Sequence, residues 1–322
     1  MSTLNFYKPK HPSGIVNILG VPVDVGTDGH GGADAPRALR SLGLAACLED
    51  AGFTAVDRGD IACPPRHQLQ VGSVKMKYGE GIAEVARASA MMIQAAIVRG
   101  EKVVAIGGDH AMSVGTIAGA SAAIEGELGV IWIDAHADIH TDQTTSSGNV
   151  HGMPAAAAMG VGNPLLTNII AGGKKVNPKN FLFIGLKDID PEEIATMERL
   201  GIPTITMMDI AGNGIGCVTE AVDKLRSQTS HIWVSQDIDA IDVADAPGTL
   251  MATPGGLTYR EITNIARYVG RTCSVVGMDL AELVPSRDKG AQTSELALEL
   301  ILLFLGGEYS WYTQYMKKYP TA

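Results

Sequence analysis

Short apolar runs rich in valine and isoleucine recur along the chain, separated by stretches with helical spacing. The runs fall at residues 16–21, 103–106, 130–133, 181–184, 203–206, 231–234 and 274–278. They are almost continuously apolar rather than alternating, the pattern of strands buried on both faces in a parallel sheet flanked by helices. Residues 82–88 and 260–267 repeat their apolar positions at the helical period. This alternation predicts an α/β fold with a doubly wound, mostly parallel sheet. No Pro/Ser-rich linker, charge block or solenoid-length repeat divides the chain. One domain is therefore expected over residues 1–322, with tails at 1–14 and 308–322.

Composition narrows the function classes. A hydrophobic content of 46% with 19% charged residues provides for a sizeable core. The formal charge of −10 argues against nucleic acid, because phosphate binding needs a basic surface, and is compatible with a cationic substrate. The four cysteines, at 47, 63, 217 and 273, form no CxxC pair, which fits free buried thiols better than a disulfide framework or a zinc ribbon. The first residues lack the apolar centre of a secretory signal, and no apolar run is expected to reach membrane-spanning length. A cytoplasmic protein with no membrane partner is expected.

The polar residues cluster just after the apolar runs, where the strands of a parallel sheet end and where ligands bind. Gly107-Gly108-Asp109-His110 follows the second run, Asp134-Ala135-His136-Ala137-Asp138 the third, and Ser235-Gln236-Asp237-Ile238-Asp239 the sixth. In an extended segment alternate side chains share a face, so Asp134, His136 and Asp138 are expected to converge, as are Asp237 and Asp239. Asp109 reads as a turn residue. Taken singly, each cluster has a plainer reading: a turn, a solvated loop, a helix cap. Together they place two imidazoles and four carboxylates at three strand ends, and carboxylates gathered without cations lose hydration and repel. Imidazole and carboxylate without thiolate suit manganese best, with nickel, cobalt, iron and zinc also compatible.

At these residues the chain resembles the ureohydrolase family, and arginases more closely than agmatinases. The resemblance continues through Ser147-Gly148-Asn149-Val150-His151-Gly152, Gly185-Leu186-Lys187-Asp188-Ile189-Asp190-Pro191 and Gly255-Gly256-Leu257-Thr258-Tyr259-Arg260-Glu261, and covers nearly all of the chain. It implies a three-layer α/β/α fold with two Mn2+ per subunit. His110, Asp134, Asp138 and Asp237 would hold one ion and His136, Asp134, Asp237 and Asp239 the other, with Asp134 and Asp237 bridging. Two cations lower the pKa of a shared water so that hydroxide exists near neutrality, where it can attack a guanidinium carbon. By the same resemblance Asp138 aims the hydroxide, Glu282 pairs with the guanidinium, and His151 carries a proton to the departing amine. Without the family context Glu282 would read as a partner of Arg287, and His151 as a loop histidine bonded to a carbonyl.

The resemblance also implies how the far end of a small guanidino substrate is bound. Ser147 and Asn149 would receive an α-carboxylate, and Asp190 with Glu193 an α-ammonium, which favours L-arginine, with ornithine and urea as products. Two residues depart from the family pattern. His140 stands where arginases carry an asparagine, and Met251 where a threonine lines the pocket. Agmatine, a guanidino acid such as guanidinobutyrate, and formiminoglutamate are the competing substrates, and an inactive structural or regulatory homologue is the non-enzyme alternative. A homotrimer or homohexamer is expected from the family. The aromatic stretch 309–316 could cover a neighbouring subunit or pack on its own core.

Overall fold

The computed structural model describes residues 12–309. Every apolar run becomes a strand of one eight-stranded sheet. In chain order its strands are β1 (Ile15–Val21), β2 (Thr54–Asp60), β5 (Lys102–Gly107), β6 (Leu128–Ile133), β7 (Phe181–Leu186), β8 (Thr204–Thr206), β9 (His231–Asp237) and β10 (Val275–Ala281). A separate hairpin pairs β3 (Gly72–Ser73) with β4 (Met76–Lys77). The large sheet is ordered β2-β1-β5-β10-β9-β6-β7-β8, and every neighbouring pair in it is parallel.

Alternate residues of the central strands enter two separate cores. Val103, Ala105, Val130, Trp132, Phe181 and Phe183 face one side, with the apolar faces of α3 (Gly79–Val98), α4 (Ser113–Ala123) and α5 (Pro154–Ala158). Val104, Ile106, Ile131, Ile133, Leu182 and Ile184 face the other. That side is covered by α1 (Ala35–Ser41), α2 (Leu44–Asp50), α9 (Gly216–Gln228), α10 (Tyr259–Thr272) and α11 (Gln292–Phe304). Burial on both faces explains the unbroken apolar runs, and the result is the three-layer α/β/α architecture expected. The remaining helices, α6 (Pro164–Thr167), α7 (Pro191–Leu200) and α8 (Met207–Asn213), lie in the second half of the chain.

Topology gathers the chemistry. From β5 the chain skips to β6, leaving a gap two strands wide that β10 and β9 fill later. The carboxyl ends of β5, β10, β9 and β6 are therefore contiguous, and three of them precede the motifs singled out above. Glu282 follows the fourth, β10.

Three sequence expectations need adjustment. β2 escaped notice because it is an edge strand with mostly exposed residues, Thr-Ala-Val-Asp-Arg-Gly-Asp, and so lacks an apolar run. Helix α3 has the length and hydropathy of a membrane span despite Glu84 and Arg87, but 56% of its apolar window is buried inside the fold, as in a core helix. The expected tails lie largely outside the described residues: the first eleven positions, and everything from Ser310 including most of the aromatic stretch. Tyr309 itself packs against the second core.

Gly108 fixes how closely the β5 end can approach the loop after β1. A Cβ there would sit 1.8 Å from the Val23 carbonyl oxygen. Its own carbonyl accepts from Glu282 N–H at 2.8 Å, linking this turn to the β10 end. Backbone cannot yield as a flexible side chain does, so Gly108→Ala should destabilise the fold by at least about 2 kcal/mol. Urea unfolding checks this; an unchanged midpoint would show that the turn has slack.

Candidate metal centre and its pocket

His110 opens a short 3-10 turn after β5, capped by Asp109, whose carboxylate accepts from Ala111 N–H at 3.0 Å and Gly26 N–H at 2.7 Å. Asp109 is thus the turn residue expected. The His110 ring is fully buried and stacked on Trp132 at 4.1 Å between centroids. Its Nε2 lies 2.9 Å from Ser235 Oγ, and Ser235 donates to Asp279 at 2.6 Å. Asp279, wholly buried, also accepts from Ser113 Oγ at 3.1 Å, Trp233 Nε1 at 2.8 Å and Thr116 Oγ1. Because the Ser235 proton goes to Asp279, the Ser235 oxygen accepts from His110 Nε2–H, and this network assigns the tautomer.

In the neutral ring, the form that binds a cation, that tautomer leaves a lone pair on Nδ1. Nδ1 has no hydrogen-bond partner. Around it lie Asp237 Oδ2 at 2.9 Å, Asp134 Oδ2 at 3.1 Å and Asp138 Oδ2 at 3.2 Å. Four electron-rich atoms facing one another in a buried space fit a cation. A second group adjoins it: His136 Nδ1 is 3.1 Å from Asp239 Oδ2 and 3.5 Å from Asp134 Oδ1. Asp134 therefore divides its two oxygens between the groups. His110, Asp134 and Asp138, and likewise Asp134, His136 and Asp239, could each hold a metal ion. Asp237 offers Oδ2 to the first group, while its Oδ1 accepts from Asp239 N–H at 2.7 Å.

The convergence does not arise from strand alternation, as the sequence reading expected. β6 ends at Ile133 and β9 at Asp237, so 134–138 is a loop and Asp239 lies in a 3-10 turn. Asp134 folds back to accept from His136 N–H at 2.8 Å and from Trp132 Nε1 at 2.9 Å. Asp138 reaches the first group from a left-handed backbone, φ 49°, and Glu282 has the same conformation, φ 61°. Such backbones cost about 1–3 kcal/mol each in non-glycine residues and persist where the surroundings dictate them.

Protonation follows from crowding. Burial raises the carboxyls of Asp237 and Asp138, reinforced by neighbouring carboxylates, and raises Asp239 to about 6. Burial also opposes ionisation of Asp134, yet with no cation bound the flanking His110 and His136 rings, when protonated, outweigh it and hold the carboxyl below the usual range. For His136 burial disfavours the charged ring, but Asp134 and Asp239 outweigh it and raise the pKa. His151 behaves similarly: Glu282, its partner at 3.3 Å, overcomes burial and lifts it to about 9.

Beside the metal groups opens a cavity of about 450 Å3. His136, Asp138, Asp237 and Asp239 border it, as do His151, Glu282, His140, Ser147, Asn149, Asp190, Glu193 and Met251. Of the residues singled out in the sequence, only His110 and Asp134 do not line it; both are fully buried. Glu282 is not paired with Arg287: its Oε1 accepts from His110 N–H at 3.0 Å and meets His151. Asn149 is engaged at the rim, accepting from Lys77 Nζ at 3.0 Å and donating to Asp28 at 3.2 Å. Asp190 caps α7, and Glu193 completes the reciprocal capping box. Met251 is half exposed.

Sequence reasoning missed Ser235 and Asp279, which orient His110, and the wall residue Thr145. The Ser235 position, one strand period before Asp237, was the available signal. If the ligand orientation depends on this network, Asp279→Ala should weaken metal binding about 10–100-fold. Equilibrium dialysis against a metal buffer reads it; wild-type affinity would contradict it. Metal must also displace protons from the raised carboxyls and imidazoles, so apparent affinity should rise as pH rises from about 5 to 7. Calorimetry in two buffers of unlike ionisation enthalpy measures the proton release, and a buffer-independent heat would count against it.

Comparison with known proteins agrees with this geometry. The arginase family model matches residues 15–306. The arginase of Brevibacillus brevis is 34% identical over 292 residues, 90% of this chain and 97% of that protein. The solved arginase of Bacillus caldovelox is 33% identical with a TM-score of 0.87, covering 92% of this chain and 99% of its own. The Entamoeba histolytica arginase, solved with L-ornithine, is 27% identical with a TM-score of 0.83, covering 91% and 98%.

Proposed function

The chain belongs to the arginase family, and from that premise we propose that it hydrolyses L-arginine to L-ornithine and urea at a binuclear manganese centre. The observation that carries the proposal is a pair of histidine–carboxylate groups sharing Asp134, set against a cavity that also holds Glu282 and His151. Hydrolysis of a C–N bond in a linear amidine is the family's reaction class. The relatives named above are arginases, and one was solved with the product of arginine cleavage.

His110, Asp134, Asp138 and Asp237 would hold one ion, and His136, Asp134, Asp237 and Asp239 the other. Divalent ions held there supply Lewis acidity that makes water a competent nucleophile near neutral pH. Asp138, bordering the cavity, accepts a hydrogen bond from the attacking water and aims it. Glu282 is anchored through Oε1 by His110 N–H and His151, so its carboxylate is fixed before substrate arrives. A planar guanidinium paired with it presents its carbon to the water. Collapse to urea requires a proton on the departing amine nitrogen. His151 carries that proton, which Glu282 stabilises on the ring. Ser147, Asn149, Asp190 and Glu193 lie on the wall and rim that the aliphatic end of the substrate would reach. By the family resemblance we extend the proposal to a cytoplasmic homotrimer or homohexamer.

Urea release from L-arginine by manganese-loaded protein tests the reading. His151→Asn should lower kcat by about 10²–10⁴ while leaving metal content unchanged. Wild-type turnover in the variant would remove the histidine from the mechanism. Absence of urea from every guanidino compound offered to loaded wild-type protein would reject the function.

A further inference from the structure

On the wall of the cavity the Asp190 carboxylate is already engaged by His140, while two hydroxyl donors are free. Asp190 accepts at Oδ1 from Glu192 N–H at 2.9 Å and Glu193 N–H at 3.0 Å. At Oδ2 it accepts from His140 Nε2 at 2.8 Å. The Asp190 carboxylate only accepts, so His140 Nε2 carries the proton, and the Nδ1 of the neutral ring accepts from Thr144 Oγ1, 3.1 Å away, which itself accepts from Thr141 N–H at 2.9 Å. His140 is thereby held with its Nε2–H on Asp190, and its own N–H is tied to the Gly152 carbonyl at 2.9 Å. Glu193 has both oxygens in backbone bonds, to Asp190 N–H at 3.2 Å and Ile139 N–H at 3.5 Å. These bonds engage the three side chains with one another and with backbone N–H groups, although their spacing alone would admit a metal ion.

The donors on the same wall are differently placed. Thr145 Oγ1 accepts from Gly148 N–H at 3.0 Å and Ser147 Oγ from Asn149 N–H at 3.2 Å. Each hydroxyl still has its proton to give, and both residues line the cavity. A ligand whose far end is an acceptor meets two donors. One whose far end also carries an ammonium must share Asp190 with His140. Asp188, which also lines the cavity, is exposed and lies 3.8 Å from His136 Nε2.

We infer that His140 is a specificity-determining residue: by occupying Asp190 it opens this site to ω-guanidino carboxylates that lack an α-ammonium, beside arginine. This rests on the guanidine-hydrolase reading above. His140 acts through Asp190 on the end of the substrate remote from the reacting carbon, so its effect falls on KM rather than on the chemical step. Removing the ring frees a charged acceptor for the ammonium, a hydrogen bond of the strength that separates substrates by about tenfold or more.

The test compares kcat/KM for L-arginine and 4-guanidinobutyrate in manganese-loaded wild type, His140→Ala and His140→Gln. Wild type should hydrolyse both, within about two orders of magnitude of each other. His140→Ala should shift the ratio towards arginine about tenfold, through KM. His140→Gln, which keeps an N–H for Asp190, should lie near the wild-type ratio and controls for loss of folding. Calorimetric binding of L-ornithine against 4-aminobutyrate should shift the same way in the alanine variant. Arginine turnover with none of 4-guanidinobutyrate, or an unmoved ratio in His140→Ala, overturns the inference and leaves the hydrolase reading standing. Turnover of neither compound by wild type defeats both.

Discussion

The carboxylates of Asp134, Asp138, Asp237 and Asp239, all from buried residues, crowd around two imidazoles. Unit charges 4 Å apart repel by about 4 kcal/mol at an effective dielectric of 20, and the four also forgo hydration. Protons partly relieve this, which is why Asp138, Asp237 and Asp239 are raised above ordinary carboxylates. The crowding centres on His110 Nδ1, which the Ser235–Asp279 network, by holding Nε2–H, aims at three carboxylate oxygens. Divalent cations satisfy both demands at once.

Much of the fold serves to maintain that crowding. Four adjacent strand ends supply the ligands and Glu282, an adjacency that exists only because β9 and β10 return into the gap between β5 and β6. Left-handed backbones at Asp138 and Glu282, and the room left by Gly108, set the last few ångströms. The Trp132 indole stacked on His110 and donating to Asp134 ties the core of one face directly to the ligands.

The apolar runs foretold seven of the strands; six of these are buried on both sides and leave an unbroken hydrophobic signature, while edge strand β8 is only half-buried. Motif composition and family resemblance together singled out the residues that the structure gathers at the candidate metal groups and the pocket, since imidazole and carboxylate at strand ends are visible without coordinates. Other features depend on contacts between residues far apart in sequence. The Asp134 to Asp138 convergence comes from a loop with one left-handed residue, not from pleating, and no local periodicity records that. Ser235 and Asp279 look like ordinary strand residues until the sheet brings β9 beside β10. The His140–Asp190 bond likewise spans 50 positions, so the departure at His140 was visible but not the partner it engages. Edge strand β2 lacks any apolar run because most of it meets solvent.

The account turns on two cations sharing carboxylate ligands, and electron paramagnetic resonance during manganese titration addresses that directly. Sharing Asp134 between the two groups should place the ions close enough for exchange coupling, so the isolated six-line spectrum should give way to a coupled signal as the second equivalent binds. A six-line spectrum that saturates at one equivalent, or that grows uncoupled to two, would contradict the shared centre.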